Sequence, residues 1–209
     1  MTPAEIFRLY LDACPLIAIL RGVTPDEVEP IGQALFDAGI RIIEIPVQSS
    51  EALPGVERLV AHFGNDALIG AGTVLTEQVI APVAAAGGRL IISPAFDPSV
   101  VSATVAAGLI SCPGYFTPSE AVAALKGGAH ALKFFPAEGG SPAVLKAQRV
   151  ILPKKVPLIV VGGITPGDMA QWLDAGADGF GLGSALYKPG QSAAETGEKA
   201  RAFIEALPA

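Results

Sequence analysis

The feature that most constrains this chain is a repeated unit: an apolar, helix-like segment ends in glycine, and an apolar, strand-like run follows. Asp37-Ala38-Gly39 precedes Ile42–Pro46, and His62-Phe63-Gly64 precedes Leu68–Gly72. The unit returns as Ala85-Ala86-Gly87 before Leu90–Pro94 and Ala106-Ala107-Gly108 before Ile110–Gly114. It recurs as Lys126-Gly127-Gly128 before Ala131–Phe135 and Asp174-Ala175-Gly176 before Gly179–Gly183. Glycine past a helix end supplies the left-handed cap that other residues adopt only at a cost. Leu16–Arg21 at the front and Leu158–Val161 near the end bring the strand-like runs to eight, each one strand plus one helix apart with tight loops. Thr24-Pro25-Asp26-Glu27 and Thr117-Pro118-Ser119-Glu120 read as capping boxes with proline at the first helical position. Thr165-Pro166-Gly167-Asp168 reads as a third helix start, with Asp in place of Glu. A further helix, about Ala4–Ala13, precedes the first strand.

Eight parallel β/α units within 209 residues predict an α/β fold, a (β/α)8 TIM barrel with an extra N-terminal helix, forming one domain over residues 1–209. A doubly wound sheet needs fewer strands and a dinucleotide fingerprint. Gly70-Ala71-Gly72 and Gly181-Leu182-Gly183 place Leu75 and Leu186 where the third glycine of that fingerprint belongs, so neither qualifies.

Composition narrows the partners. Hydrophobic residues make up 51% of the chain and charged ones 16%, which leaves ample core and suggests surface buried against other subunits. A net charge of −6 without a basic run speaks against nucleic acid. Cys14 and Cys112 fit a reduced, cytoplasmic protein and read as small apolar core residues. Met1-Thr2-Pro3-Ala4-Glu5 lacks the order of a signal peptide. The uncharged run Pro98–Ser119 carries three prolines and two glycines, so no membrane span is expected there.

Barrel chemistry gathers at the C-terminal ends of the strands. Two residues there are out of place. Lys133 lies within Ala131-Leu132-Lys133-Phe134-Phe135-Pro136, and Glu44 within Ile42-Ile43-Glu44-Ile45-Pro46. Burial disfavours both charged forms. A lysine so placed tends towards the neutral amine, a nucleophile for carbonyl carbon, and Glu44 beside it reads as general acid/base. The alternative is a buried Lys–Glu ion pair without catalysis. His62 and His130 lie away from the strand exits, and no metal-ligand spacing occurs, so neither a metal nor a cofactor is expected. Gly162-Gly163, followed one unit later by Gly183-Ser184, suits a phosphate site after strands seven and eight, ahead of the helix opened by Thr165. Arg21, at the end of the first strand, reads as a charge partner for that phosphate.

Lys133-Phe134-Phe135-Pro136-Ala137-Glu138, Gly70-Ala71-Gly72-Thr73-Val74 and Gly162-Gly163-Ile164 together resemble the class I 2-dehydro-3-deoxy-phosphogluconate and -phosphogalactonate aldolases over nearly the whole chain. The resemblance implies a Schiff-base Lys133 and a proton-transferring Glu44. It places Thr73 on the pyruvate half, with Arg21, Gly162, Gly163, Gly183 and Ser184 on the remainder and its phosphate. Gln48, Pro94, Phe135 and Val161 complete the expected substrate-binding set. It also implies a homotrimer acting on a phosphorylated 2-keto-3-deoxy sugar acid, releasing pyruvate and glyceraldehyde 3-phosphate. The phosphogluconate branch carries arginine at the position of Gln48 and threonine at that of Val161, whereas the phosphogalactonate branch resembles this chain at both. The expectation is therefore phosphogalactonate cleavage. The alternatives are the phosphogluconate or 4-hydroxy-2-oxoglutarate activity of the same family, or a phosphate-binding barrel without imine chemistry.

Overall fold

A computed structural model describes residues 1–208. Helix α1 (Pro3–Ala13) is followed by β1 (Leu16–Ile19), α2 (Pro25–Ala38), β2 (Ile42–Pro46), α3 (Ala52–Phe63) and β3 (Leu68–Gly72). Next come α4 (Ile80–Ala85), β4 (Leu90–Ile92), α5 (Pro98–Ala106), β5 (Ile110–Cys112), β6 (Gly114–Tyr115) and α6 (Pro118–Lys126). The chain ends with β7 (Leu132–Phe134), α7 (Pro142–Arg149), β8 (Leu158–Val161), α8 (Met169–Asp174), β9 (Gly179–Leu182) and α9 (Ala193–Glu205).

The strand order is β5-β4-β3-β2-β1-β9-β8-β7-β6, with parallel pairing throughout. Its two ends, β5 and β6, are separated only by Pro113, so they form one stave. Proline has no N–H to give the ladder, which interrupts that stave. Its carbonyl still accepts the Lys133 N–H at 2.9 Å. The result is the expected eight-staved barrel.

Side chains alternate across a strand, so one parity points inward. Ile17, Ile19, Ile42, Leu68, Leu90, Ile92, Ile110, Cys112, Ile159 and Val161 form the barrel interior. Phe7, Tyr10 and Leu11 of α1 join that cluster, so α1 plugs the end where the strands begin. The opposite parity, including Ala18, Ile43, Ile69, Leu132, Phe134, Val160 and Phe180, packs outward against the helices. At the plugged end, Arg89 donates to the Tyr10 hydroxyl and the Ala67 carbonyl, each at 3.2 Å. His130 also lies there. Its Nδ1 accepts the Ser111 N–H at 3.0 Å, and burial lowers its pKa.

Of the three helix starts expected from the sequence, those at Thr24 and Thr117 follow the capping chemistry and that at Thr165 does not. Thr2/Glu5 and Thr117/Glu120 form reciprocal boxes, and the Thr24 N–H donates to Glu27 Oε2 at 3.2 Å. Thr165 does not open a helix as expected. Residues 165–168 form a turn in which Asp168 accepts from the Thr165 N–H at 3.2 Å and from its hydroxyl at 2.5 Å, and α8 begins only at Met169. Gly167 and the short Asp side chain favour a closed local turn over helix entry. No helix among the described residues is long and apolar enough to cross a membrane.

Candidate active site

The inward parity that builds the core also builds the site. Continuing each inward row to the C-terminal mouth gives Arg21 after Ile17 and Ile19, Glu44 after Ile42, Gly72 after Leu68, and Pro94 after Leu90 and Ile92. On the other side it gives Lys133 after Ala131, Gly163 after Ile159 and Val161, and Gly183 after Gly179 and Gly181. A cavity of about 350 Å³ opens over this layer, within the range of small-molecule sites. All twelve residues singled out from the sequence line it.

Lys133 is 5% exposed and Glu44 is 1% exposed. Burial pushes the Glu44 carboxyl up to about 7, against the opposing pull of Lys133 and then Arg21. Burial also lowers the Lys133 pKa, which Glu44 partly offsets. Among the described residues no ion pair joins the two, and Glu44 Oε2 is buried without a hydrogen-bond partner. A structural ion pair would satisfy that oxygen, so the arrangement does not fit one. The Lys133 Nζ stands 4.8 Å from the centre of the Phe135 ring. Burial pushes the nearby Cys112 thiol up to about 12, which keeps it protonated and unreactive. A buried amine and a carboxyl that titrates near neutrality, both facing one cavity, can perform imine formation and proton transfer.

Arg21 has partners that the sequence did not indicate. Its guanidinium is bonded to Gln48 Oε1 and, through Nη2, to the Thr73 hydroxyl at 3.2 Å. That ties it to the loops after β2 and β3, in the cavity that Gly162 and Gly163 also line. Thr73 holds its hydroxyl there with φ at 54°, a left-handed conformation unfavourable for a β-branched residue. Such strain gathers at functional sites.

The glycine loops differ from one another. Gly162 and Gly163 have φ of 115° and 65°. The side chain of Glu138 already fills the space beside both: a Cβ on Gly163 would sit 2.8 Å from Glu138 Cγ, and one on Gly162 would overlap Glu138 Oε2. A Cβ on Gly183 would meet nothing within 4 Å. Gly183 is therefore the position where backbone is open to a ligand, while the other two glycines also make room for a carboxylate. Sequence reasoning missed the part of Glu138, because a glutamate beyond a strand end ordinarily reads as solvated surface. It also missed Gly181, where a Cβ would stand 2.7 Å from Val161 Cγ2. No group of three or more His, Cys, Asp or Glu among the described residues is placed to hold a metal ion.

Fold and site together define a (β/α)8 barrel with a buried lysine and a buried glutamate at its C-terminal mouth. The family model for KDPG and KHG aldolases matches residues 8–201, and the chain belongs to that family. It is an aldolase, a carbon–carbon lyase. It is 44% identical to the 2-dehydro-3-deoxy-6-phosphogalactonate aldolase of Escherichia coli, covering 92% of this chain and 94% of that one. Against the 2-dehydro-3-deoxy-phosphogluconate aldolase of Treponema pallidum identity is 32%, over 78% of each chain. A solved structure described as native KDPGal aligns with a TM-score of 0.90 and 44% identity, covering 92% of this chain and 93% of that one.

Proposed function

We propose that this chain is a class I aldolase that cleaves 2-dehydro-3-deoxy-6-phosphogalactonate to pyruvate and glyceraldehyde 3-phosphate. The observation that carries the reading is the buried Lys133 facing a buried Glu44 with which it makes no ion pair. Neutral Lys133 attacks C2 of the keto acid. Glu44 supplies the proton with which the carbinolamine loses water, leaving a protonated imine. Ionised Glu44 then takes the proton of the C4 hydroxyl as the C3–C4 bond breaks, and its electron pair passes to the imine nitrogen as an enamine. Glyceraldehyde 3-phosphate departs, Glu44 returns a proton to C3, and water hydrolyses the pyruvyl imine to free Lys133.

Arg21, oriented by Gln48 and Thr73, serves as the cation for the substrate carboxylate. Gly162, Gly163, Gly183 and Ser184 bind the phosphate through backbone N–H groups and a hydroxyl. Pro94, Phe135 and Val161 shape the walls between. The phosphogalactonate branch is favoured over phosphogluconate by Gln48 and Val161, and by the higher identity to a relative of that name.

Residues 1–209 act as one domain. The assembly is a homotrimer, for which exposed Val150 and Ile151, at 84% and 56%, offer apolar surface beside α6. The unpaired Cys14 and Cys112 fit the cytoplasm.

The test is borohydride reduction in the presence of pyruvate, followed by peptide mass analysis. A pyruvate-derived adduct is expected on the Lys133 peptide and absent from Lys133→Arg, whose guanidinium does not deprotonate. An adduct elsewhere, or turnover by that variant, overturns the mechanism.

A further inference from the structure

Resting on that reading, we propose that Glu138 is a specificity-determining residue: its carboxylate accepts a hydrogen bond from the substrate hydroxyl nearest the phosphate, C5–OH. In the aldehyde product this is the hydroxyl beside the carbonyl carbon.

The residue follows the strand that carries Lys133, in a turn whose backbone is hydrogen-bonded. After β7 the chain makes a 3-10 turn over Ala137–Gly139, tied by Gly139 N–H to the Pro136 carbonyl at 3.1 Å and Gly140 N–H to the Ala137 carbonyl at 3.0 Å. Ala137 is buried and pins the turn. The Glu138 side chain crosses from there to the exit of β8, where it lies against Gly162 and Gly163 and lines the cavity. Both glycines stand in left-handed conformations, so their Cα faces admit it. Among the described residues the Glu138 carboxylate has no ion-pair partner.

The polar inventory of the cavity then assigns its partner. Arg21 donates to both Gln48 and Thr73 on the β1–β3 side. Glu44 lies deep beside Lys133. On the β7–β8 side Val161 offers no polar atom and Glu138 is the side-chain acceptor, while Ser184, beyond β9, goes with the phosphate glycines. An ionised carboxylate only accepts, so the group facing it must donate. A phosphate does not donate and is met by the backbone N–H groups of the glycine loops, not by the side of Gly162 and Gly163 that Glu138 fills, and the imine carbon carries no donor. The substrate groups between imine and phosphate that donate are hydroxyls. C4–OH gives its proton towards Glu44, which leaves C5–OH for the residue at the glycine end.

The test uses the full-length protein in the direction of aldol addition, with pyruvate and two aldehydes of equal length: glyceraldehyde 3-phosphate and its analogue lacking the hydroxyl. The wild type is expected to favour glyceraldehyde 3-phosphate in kcat/KM by about 10–100-fold, the range for a hydrogen bond to a charged group. Glu138→Ala should lose most of that preference through the hydroxylated aldehyde alone. Glu138→Gln, which keeps an acceptor oxygen, should retain an intermediate preference. Equal losses on both aldehydes, a lowered KM for both from relief of charge repulsion, or no preference in the wild type overturns the assignment. Borohydride trapping of pyruvate on Lys133 separates the two readings. Trapping should persist in Glu138→Ala. Its loss only in that variant makes Glu138 a structural residue and overturns the proposal. Its absence from the wild type removes the aldolase mechanism itself.

Discussion

Gly72 and Glu44 share one volume: a Cβ on residue 72 would overlap the Glu44 carboxylate. The two residues sit on adjacent parallel strands, and both point into the barrel. Glycine at 72 is thus the space into which the acid/base extends. Gly72→Ala should expel the carboxylate and reduce kcat by about 10²–10⁴, the range for removing a general acid/base. Adding Glu44→Asp, which shortens the side chain, should recover part of that loss. Measurement of kcat for the single and double variants checks this. A Gly72→Ala protein with near-normal kcat would mean that Glu44 works from another position.

Glu44 also makes a pH prediction. Its pKa rises from 4.5 to about 7 on folding, because burial penalises the anion. Below 4.5 both states hold the proton, and between the two values only the folded state does. Stability therefore falls as pH rises through that window, and above about 7 the penalty is constant. Glu44→Gln does not titrate, so its unfolding free energy should lack this fall. Urea unfolding of both proteins at pH 5 and pH 7.5 should show a divergence on the order of 1–3 kcal/mol. Parallel curves would contradict the buried, unpaired carboxyl. In activity, Glu44 enters the proposed steps as an acid, so kcat/KM should decline above about pH 7 as it loses its proton.

Arg21 tests which end of the substrate meets the cation. Pyruvate has a carboxylate but no phosphate. If the guanidinium held by Gln48 and Thr73 serves the carboxylate, Arg21→Ala should raise KM for pyruvate in the addition reaction by about 10–100-fold. Gln48→Ala should raise it less, since the cation remains but loses its orientation. A pyruvate KM unchanged in Arg21→Ala, with a raised KM for glyceraldehyde 3-phosphate, would return Arg21 to the phosphate.

Most of the barrel was legible because two rules act on every unit. Glycine after a helix marks its end, and alternation along each strand fixes which residues face inward. Lys133 and Glu44 stood out because charge in an apolar strand is costly, whatever the fold. What the sequence did not show depends on side-chain direction across loops. Arg21 lies at a strand end equally open to β9 and β2, and only its bonds to Gln48 and Thr73 decide between them. Glu138 stands beyond the strand, in a turn whose course sequence pattern does not specify. The Thr165 start failed for a related reason: Asp168 closes a turn through the same bonds that would cap a helix.

Val161 bears on the choice between C4 epimers. It is 6% exposed, at the end of β8, and its Cγ2 fills the space left by the absent side chain of Gly181. That contact leaves the side chain little freedom, and a β-branched residue has few rotamers to exchange. Threonine has nearly the same shape, so Val161→Thr tests chemistry with little change of volume. Its hydroxyl would take the place of one methyl on the wall of the cavity that Lys133 and Gly162 also line. A neutral hydrogen bond gained there is worth roughly 0.5–1.5 kcal/mol. The wild type is expected to prefer the galactonate-derived substrate. Val161→Thr should move the kcat/KM ratio towards the gluconate-derived epimer by about 2–10-fold, short of reversal because Gln48 and the Arg21 it orients are unchanged. The ratio is measured in both proteins with both epimers under identical conditions. An unchanged ratio would remove Val161 from epimer choice, and a wild type that already favours the gluconate-derived epimer would place the chain on the other branch of its family.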